Sequence, residues 1–194
     1  MITSKNDLKY YLEQDRIYLN KKRSRPRIIG DETWIYQILL RKEEYHHNVG
    51  NKLMAFYYKI RRHKLGIRLG FDIGINVFGP GLSLAHYGPI IVNKNAKIGA
   101  RARIHVGVNI GTAAGVSKSA AKIGDNVYLG PGVKIFGPVE LGHNMAVGAN
   151  AVVNKSFPEG NCTIGGVPAR VISQKTSAGL WLKEDEIKIL KSFS

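Results

Sequence analysis

The sequence predicts a mainly β chain wound as a parallel β-helix of hexapeptide repeats, with an α-helical N-terminal region and a short C-terminal helix. Three observations carry this. Between Val92 and Phe157 an aliphatic residue returns at every sixth position, through Val92, Ile98, Ile104, Ile110, Ile123, Leu129, Ile135, Leu141, Val147 and Val153; only the step from Ile110 to Ile123, thirteen residues, breaks the count. A small or aliphatic residue follows four places after most of these, as at Ala96, Ala102, Val108, Val127, Val133, Val139, Met145 and Ala151. Glycine or another small residue comes directly after the aliphatic one in KIGARA, KIGDNV, YLGPGV, ELGHNM and AVGANA, where a side chain would crowd a corner. A period of six fits neither the three-or-four step of a helix face nor the alternation of a strand. It fits a solenoid in which each six-residue unit is one short strand and a corner, and three units close a coil.

Residues 1–69 form a separate N-terminal region. Residues 1–70 are aromatic-rich and hold 16 Lys and Arg against 7 Asp and Glu, so most of the net charge of +15 lies here. Asp7 to Leu19 is expected to form one helix, followed by a charged loop, KKRSRPR, around Pro26. Asp31 is the expected N-cap of a second helix that starts near Glu32 and carries Trp34, Ile35, Ile38 and Leu39 on one face. A third, Lys52 to about Lys64, sets Leu53, Phe56, Tyr57 and Ile60 at helical spacing among basic residues. Such a region shields the open end of a solenoid. A basic, aromatic-bearing helix also suits peripheral contact with an anionic membrane surface.

The charge excess forms no recognisable nucleic-acid motif, and no nucleic-acid partner is expected. No apolar run reaches the length of a membrane span, and the N-terminus lacks the apolar core of a signal peptide, so the expected location is cytoplasmic, with the inner membrane face as the peripheral option. One cysteine, Cys162, builds neither a disulfide framework nor a metal site, and no metal is expected.

The solenoid is expected over residues 70–173. In its first coil, GFDIGINVFGPGLSLAHYGPIIV, His86 lies six residues before Val92, so it takes the inward phase in which the other units place an aliphatic residue. Asp72 stands fourteen residues earlier, close to one coil, and a carboxylate that accepts from one ring nitrogen raises the basicity of the other. The bland alternative is a satisfied histidine at a strand edge.

At these residues the chain resembles the hexapeptide-repeat acyltransferases, and within them the serine acetyltransferase-like branch with its relatives in polysaccharide biosynthesis. The motifs are FDI, LAHYGPIIV, VNIGTAAG, KIGDNVYLGPGVKIFGPVELG and IGGVPARVI. The resemblance implies a left-handed β-helix, a homotrimer with active sites at subunit boundaries, acetyl-CoA as donor and a hydroxyl as acceptor. It places His86 at the catalytic base and Asp72 at its dyad carboxylate. For acetyl-CoA it implies contacts from Gly111 and Thr112 in the NIGTAAG turn, from the corners at Gly130 and Pro131 and at Ala149, from the polar-basic pair Asn154 and Lys155, and from Arg170 near the phosphates.

In the long step after Ile110, TAAGVSKSAA reads as a protruding loop. Serine acetyltransferases carry a histidine at the end of that loop and an aspartate before the catalytic histidine; this chain has Ala120 and Ala85. An α-carboxylate and an ammonium need charged partners in a buried site, so the loss of both favours a sugar hydroxyl in surface polysaccharide or glycan assembly. Serine O-acetylation in cysteine biosynthesis is the alternative, and an inactive scaffold the alternative of another class. His105, which follows Ile104 and so points outward at a corner, is a second candidate base that matches no catalytic position of the resemblance. Residues 174–194, with Leu182, Ile187, Ile189 and Leu190 among charges, are expected to form a short helix over the last coil.

Overall fold

The computed structural model describes residues 1–115 and 119–193. Three helices come first: α1 (Lys5–Tyr18), α2 (Glu32–Asn48) and α3 (Lys52–Leu69). The first starts two residues before the expected Asp7, because Asp7 is the third residue of a capping box. Its amide donates to the Ser4 hydroxyl at 3.0 Å while its carboxylate accepts from the Ser4 amide at 2.9 Å. Asp31 sits at the N-cap position of α2 but caps nothing. Its carboxylate accepts from Lys21 Nζ at 2.5 Å and from the Arg27 amide at 2.9 Å, tying the basic loop to the helix start. The third helix runs past Lys64 and stops at Gly70, which takes a left-handed φ of 79° that glycine adopts without strain.

From Phe71 the chain winds as a left-handed parallel β-helix with three faces. The first face carries β1 (Phe71–Ile73), β3 (Ile90–Val92), β6 (Asn109–Gly111), β9 (Lys134–Phe136) and β12 (Val152–Val153). The second carries β4 (Lys97–Ile98), β7 (Lys122–Ile123) and β10 (Glu140–Leu141). The third carries β2 (Ser83–Leu84), β5 (Arg103–Ile104), β8 (Tyr128–Leu129), β11 (Ala146–Val147), β13 (Thr163–Gly165) and β14 (Arg170–Ser173), the last of these antiparallel to β13.

Regular coils advance eighteen residues, pairing Val92 with Ile110 and Leu129 with Val147. The loop after Gly111 adds seven, so that Ile110 pairs with Ile135; within that loop Val116, Ser117 and Lys118 lie outside the described residues. The aliphatic series from Val92 to Val153 points inward and is buried throughout, as the hexad spacing requires.

Glycine and asparagine divide the work at the corners. Gly79, Gly99 and Gly124 are needed for close stacking. A Cβ on Gly79 would lie 2.7 Å from Gly99 C, and one on Gly124 would lie 2.8 Å from Gly142 C. The left-handed backbone is supplied nearby by asparagines, Asn126 at φ 56° and Asn144 at φ 57°, whose amides link coil to coil through a 2.7 Å hydrogen bond from Asn126 Nδ2 to Asn144 Oδ1.

The open end of the first coil is closed by side chains that satisfy its unpaired backbone groups. Gln37 donates to Leu82 O at 2.8 Å and accepts from the Leu84 amide at 2.9 Å. Arg41 donates to Phe78 O and Gly79 O, and Asp15 accepts from the Gly81 and Leu82 amides. A sheet edge covered in this way cannot template another chain. Of the expected apolar stripe of α2, Trp34 and Leu39 are buried and Ile35 and Ile38 half-buried, and the buried face also takes in Tyr36, Gln37 and Arg41.

The tail departs from expectation. Its helix α4 (Glu184–Lys191) does not cover the last coil but reaches back to α1, where Leu182 and Leu190 pack on Ile17. Arg16 donates to the Leu190 carbonyl there at 2.8 Å.

Candidate active site

Two corners flank the first face, and the sequence-derived residues fall along both. The corner between the third and first faces begins with Ala85–Pro89, an extended turn. Leu84 pairs with Ile104 twenty residues on, where a regular coil would take eighteen, and the two extra residues lie between Leu84 and Ile90. The inward position is thus taken by Leu84, and His86 is exposed. The inward reading of His86 is corrected on that ground: an insertion shifts the phase of the hexad, and counting back from Val92 crosses it.

Below His86 on the same corner come His105, then Gly130 and Pro131, then Ala149, with successive amides bonded down the stack: Ala85 N–H to Ile104 O, His105 N–H to Leu129 O, Gly130 N–H to Val147 O. Arg170, exposed on β14 beside Gly165, lies at the foot of this corner. The other corner holds Gly111 and Thr112 at the end of β6 and, at the matching place after β12, the exposed Asn154 and Lys155. Each corner thus ends in one exposed cation, Arg170 on the first and Lys155 on the second.

Asp72 points outward from β1, opposite Ile91. Among the described residues no hydrogen bond or ion pair joins it to His86. The two segments nevertheless touch through backbone, since Gly88 donates to Leu69 O at 2.8 Å and Ile90 to Gly70 O at 2.9 Å. Glycine is required at this contact: a Cβ on Gly70 would stand 3.0 Å from Gly88 C.

His105 is closer to His86 than its place in the repeat suggested. The two ring centroids are 5.9 Å apart, and the column continues through Tyr128, 4.9 Å from His105, to Trp181 of the tail, 6.1 Å from Tyr128. Burial, helped by Arg103 and His86, pushes the His105 imidazolium down to about 4, so the ring is neutral at physiological pH. Among the described residues its buried Nε2 has no hydrogen-bond partner, and neither has Trp181 Nε1. Arg103, one residue before Ile104, is half-buried and donates to the Ser83 hydroxyl at 2.9 Å. Arg103, Tyr128 and Trp181 were not singled out from sequence, because outward positions of a repeat read as solvated surface until the tail is seen to fold over them.

No family model matches the chain. The chain is 35% identical over 109 residues to a serine acetyltransferase of Mycobacterium tuberculosis, covering 56% of this chain and 45% of that protein. It is 33% identical over 138 residues to one of Haemophilus influenzae, covering 68% and 48%. The chain thus spans about half the length of the curated relatives it matches. In structure it is similar to serine acetyltransferase from Brucella abortus, with a TM-score of 0.72 and 25% identity over 90% of this chain and 72% of that one. The same enzyme in complex with coenzyme A gives 0.71 at 25% identity, over 88% and 70%. These likenesses run against a polysaccharide O-acetylating reading and support a serine acetyltransferase-like one.

Proposed function

We propose that the chain is an acetyl-CoA-dependent O-acetyltransferase whose acceptor is the hydroxyl of serine. The observation that carries this is the likeness, over the coils and in the fold, to proteins named serine acetyltransferase, one of them solved with coenzyme A. It corrects the sugar acceptor expected from sequence. That expectation rested on Ala85 and Ala120, and their presence shows only that two charged groups are missing from two positions, not that the acceptor is uncharged.

In this reading His86, exposed on its extended corner, takes the proton of the acceptor hydroxyl as the oxygen attacks the thioester carbonyl. Collapse of the tetrahedral adduct breaks the carbon–sulfur bond, and the imidazolium returns the proton to the departing thiolate. No covalent enzyme intermediate forms. The small residues of the His86 corner, Gly130 and Ala149, let the pantetheine arm lie along it, with Arg170 at its foot for the phosphates and Lys155 on the other corner of the same face. Homotrimeric assembly belongs to the same reading: Tyr87, Ile91 and Phe136 are apolar and exposed around the first face, where a second copy would wall the groove.

Mixing the protein with acetyl-CoA and L-serine is expected to release free thiol and form O-acetylserine. Thiol release that does not depend on serine would overturn the assignment.

The outer face of α3 supports a further property of this protein, peripheral docking on an anionic bilayer. Leu53 is 78% and Phe56 60% exposed, and Tyr57, Ile60 and Ile67 lie open beside them. The helix contains no acidic residue, and its exposed Lys59, Arg61, Lys64 and Arg68 match anionic headgroups. No helix among the described residues is long and apolar enough to cross a membrane. Vesicles containing phosphatidylserine are expected to sediment the protein and to release it as salt rises. Failure to bind, or binding equally to neutral vesicles, would refute the docking surface, as would a salt-insensitive self-association that buries α3.

A further inference from the structure

We infer that Arg103 and His105, on and directly after β5, form the subsite that holds the α-carboxylate of the acceptor beside His86. This rests on the serine-acceptor reading and assigns residues to it that the resemblance does not supply.

Arg103 is a half-buried cation without an anion. Its guanidinium donates to the Ser83 hydroxyl, and among the described residues no carboxylate forms an ion pair with it. The more deeply buried arginines are treated differently by the fold: Arg41 meets Asp15 at 2.8 Å, Arg16 meets Glu13 at 2.6 Å and Arg62 meets Glu43 at 2.6 Å. A guanidinium withdrawn from water with a single hydroxyl for company is costly unless an anion arrives to complete it, and its planar fork suits a carboxylate.

His105 supplies a second group at the same place. Its Nε2 is buried and has no partner among the described residues, and its ring lies between His86 and Tyr128 in the column that ends at Trp181, whose buried indole N–H likewise has none. Orphaned buried polar atoms are few in native proteins and call for an explanation. Here two of them and an unpaired cation share one strip that starts at the candidate base. A three-carbon amino acid, with its hydroxyl at His86 and its carboxylate turned toward β5, would engage the guanidinium and the imidazole together. The partner for the carboxylate that the family resemblance sought at position 120 is thus supplied from β5.

The test compares L-serine with L-serinamide, which keeps the hydroxyl and the amine but lacks the negative charge. The ratio of kcat/KM for serine over serinamide is expected to fall by about 30-fold or more in Arg103→Met and by less in Arg103→Lys, as the loss of a charge-assisted hydrogen bond predicts. The lysine variant keeps a cation in place, so a ratio that drops in both, in the order stated, separates a lost partner from a damaged fold. An unchanged ratio in a protein that acetylates serine would overturn the subsite and leave the acceptor reading standing. A rise in KM for acetyl-CoA in place of serine would also overturn it, by showing that the anion is a donor phosphate. Wild-type protein that acetylates neither compound would overturn the acceptor reading and the subsite together.

Discussion

Arg41→Met is expected to lower the free energy of unfolding by about 3–5 kcal/mol, the range found when one partner of a buried ion pair is removed. Arg41 is 0% exposed. Its guanidinium reaches Asp15 at 2.8 Å, Glu44 at 3.0 Å, Phe78 O at 2.9 Å and Gly79 O at 2.7 Å. Burial disfavours its charge, but the two carboxylates outweigh that and raise its proton affinity, so it stays charged in the folded protein. Methionine fills much of the volume but leaves two buried carboxylates without their cation and two carbonyls without a donor. Among the described residues Asp15 and Glu44 then keep the amides of Gly81, Leu82 and Asn76. Because these contacts join α1 and α2 to the first coil, the loss should show as a lower urea midpoint and as faster proteolysis at the helix–coil junction. A midpoint shift worth less than about 1 kcal/mol would mean that the helices are held by apolar packing alone.

What the sequence revealed and what it hid divide along a physical line. The repeat was legible because its signal is local and redundant: each inward aliphatic residue meets its equivalent one coil away, so ten positions repeat one constraint. His86 was singled out, but its orientation was misread, because the two extra residues of its corner leave no trace in a count that runs back from Val92. The existence of the helices was legible, and their function was less so. Gln37, Arg41 and Asp15 look like solvated polar residues until their backbone partners, 45 to 67 residues away where Gln37 and Asp15 are concerned, are known. Asp31 illustrates the converse: its type and place suit a cap, yet Lys21 and the Arg27 amide claim its carboxylate. The acceptor was misjudged from two alanines. Absent groups constrain a pocket weakly when a residue elsewhere in the fold, such as Arg103, can bring charge to the same space.

His86→Ala is expected to reduce acetyl transfer to serine by about 100-fold or more, the typical contribution of a positioned general base, with little change in coenzyme A binding. The imidazole is exposed at the head of a corner built from Gly130, Pro131 and Ala149, so its truncation removes no core packing and opens no cavity. A stability loss is therefore not a competing account of lost activity, and equal melting temperatures for mutant and wild type would establish that. His105, the nearest other imidazole, is neutral at physiological pH and 5.9 Å away by centroid. It lies where it can contact the acceptor, but a ring whose proton affinity falls this far is a weak base, and it should not rescue the mutant. Asp72→Asn is expected to cost less, and the double mutant should be little worse than His86→Ala alone if Asp72 acts through the imidazole. Catalytic hydrogen bonds tighten in the complex with substrate, and the backbone contact of Gly88 with Leu69 already holds the two segments side by side. Strictly additive losses would show that Asp72 acts on something other than His86, and a His86→Ala protein within threefold of wild type would remove the histidine from the mechanism altogether.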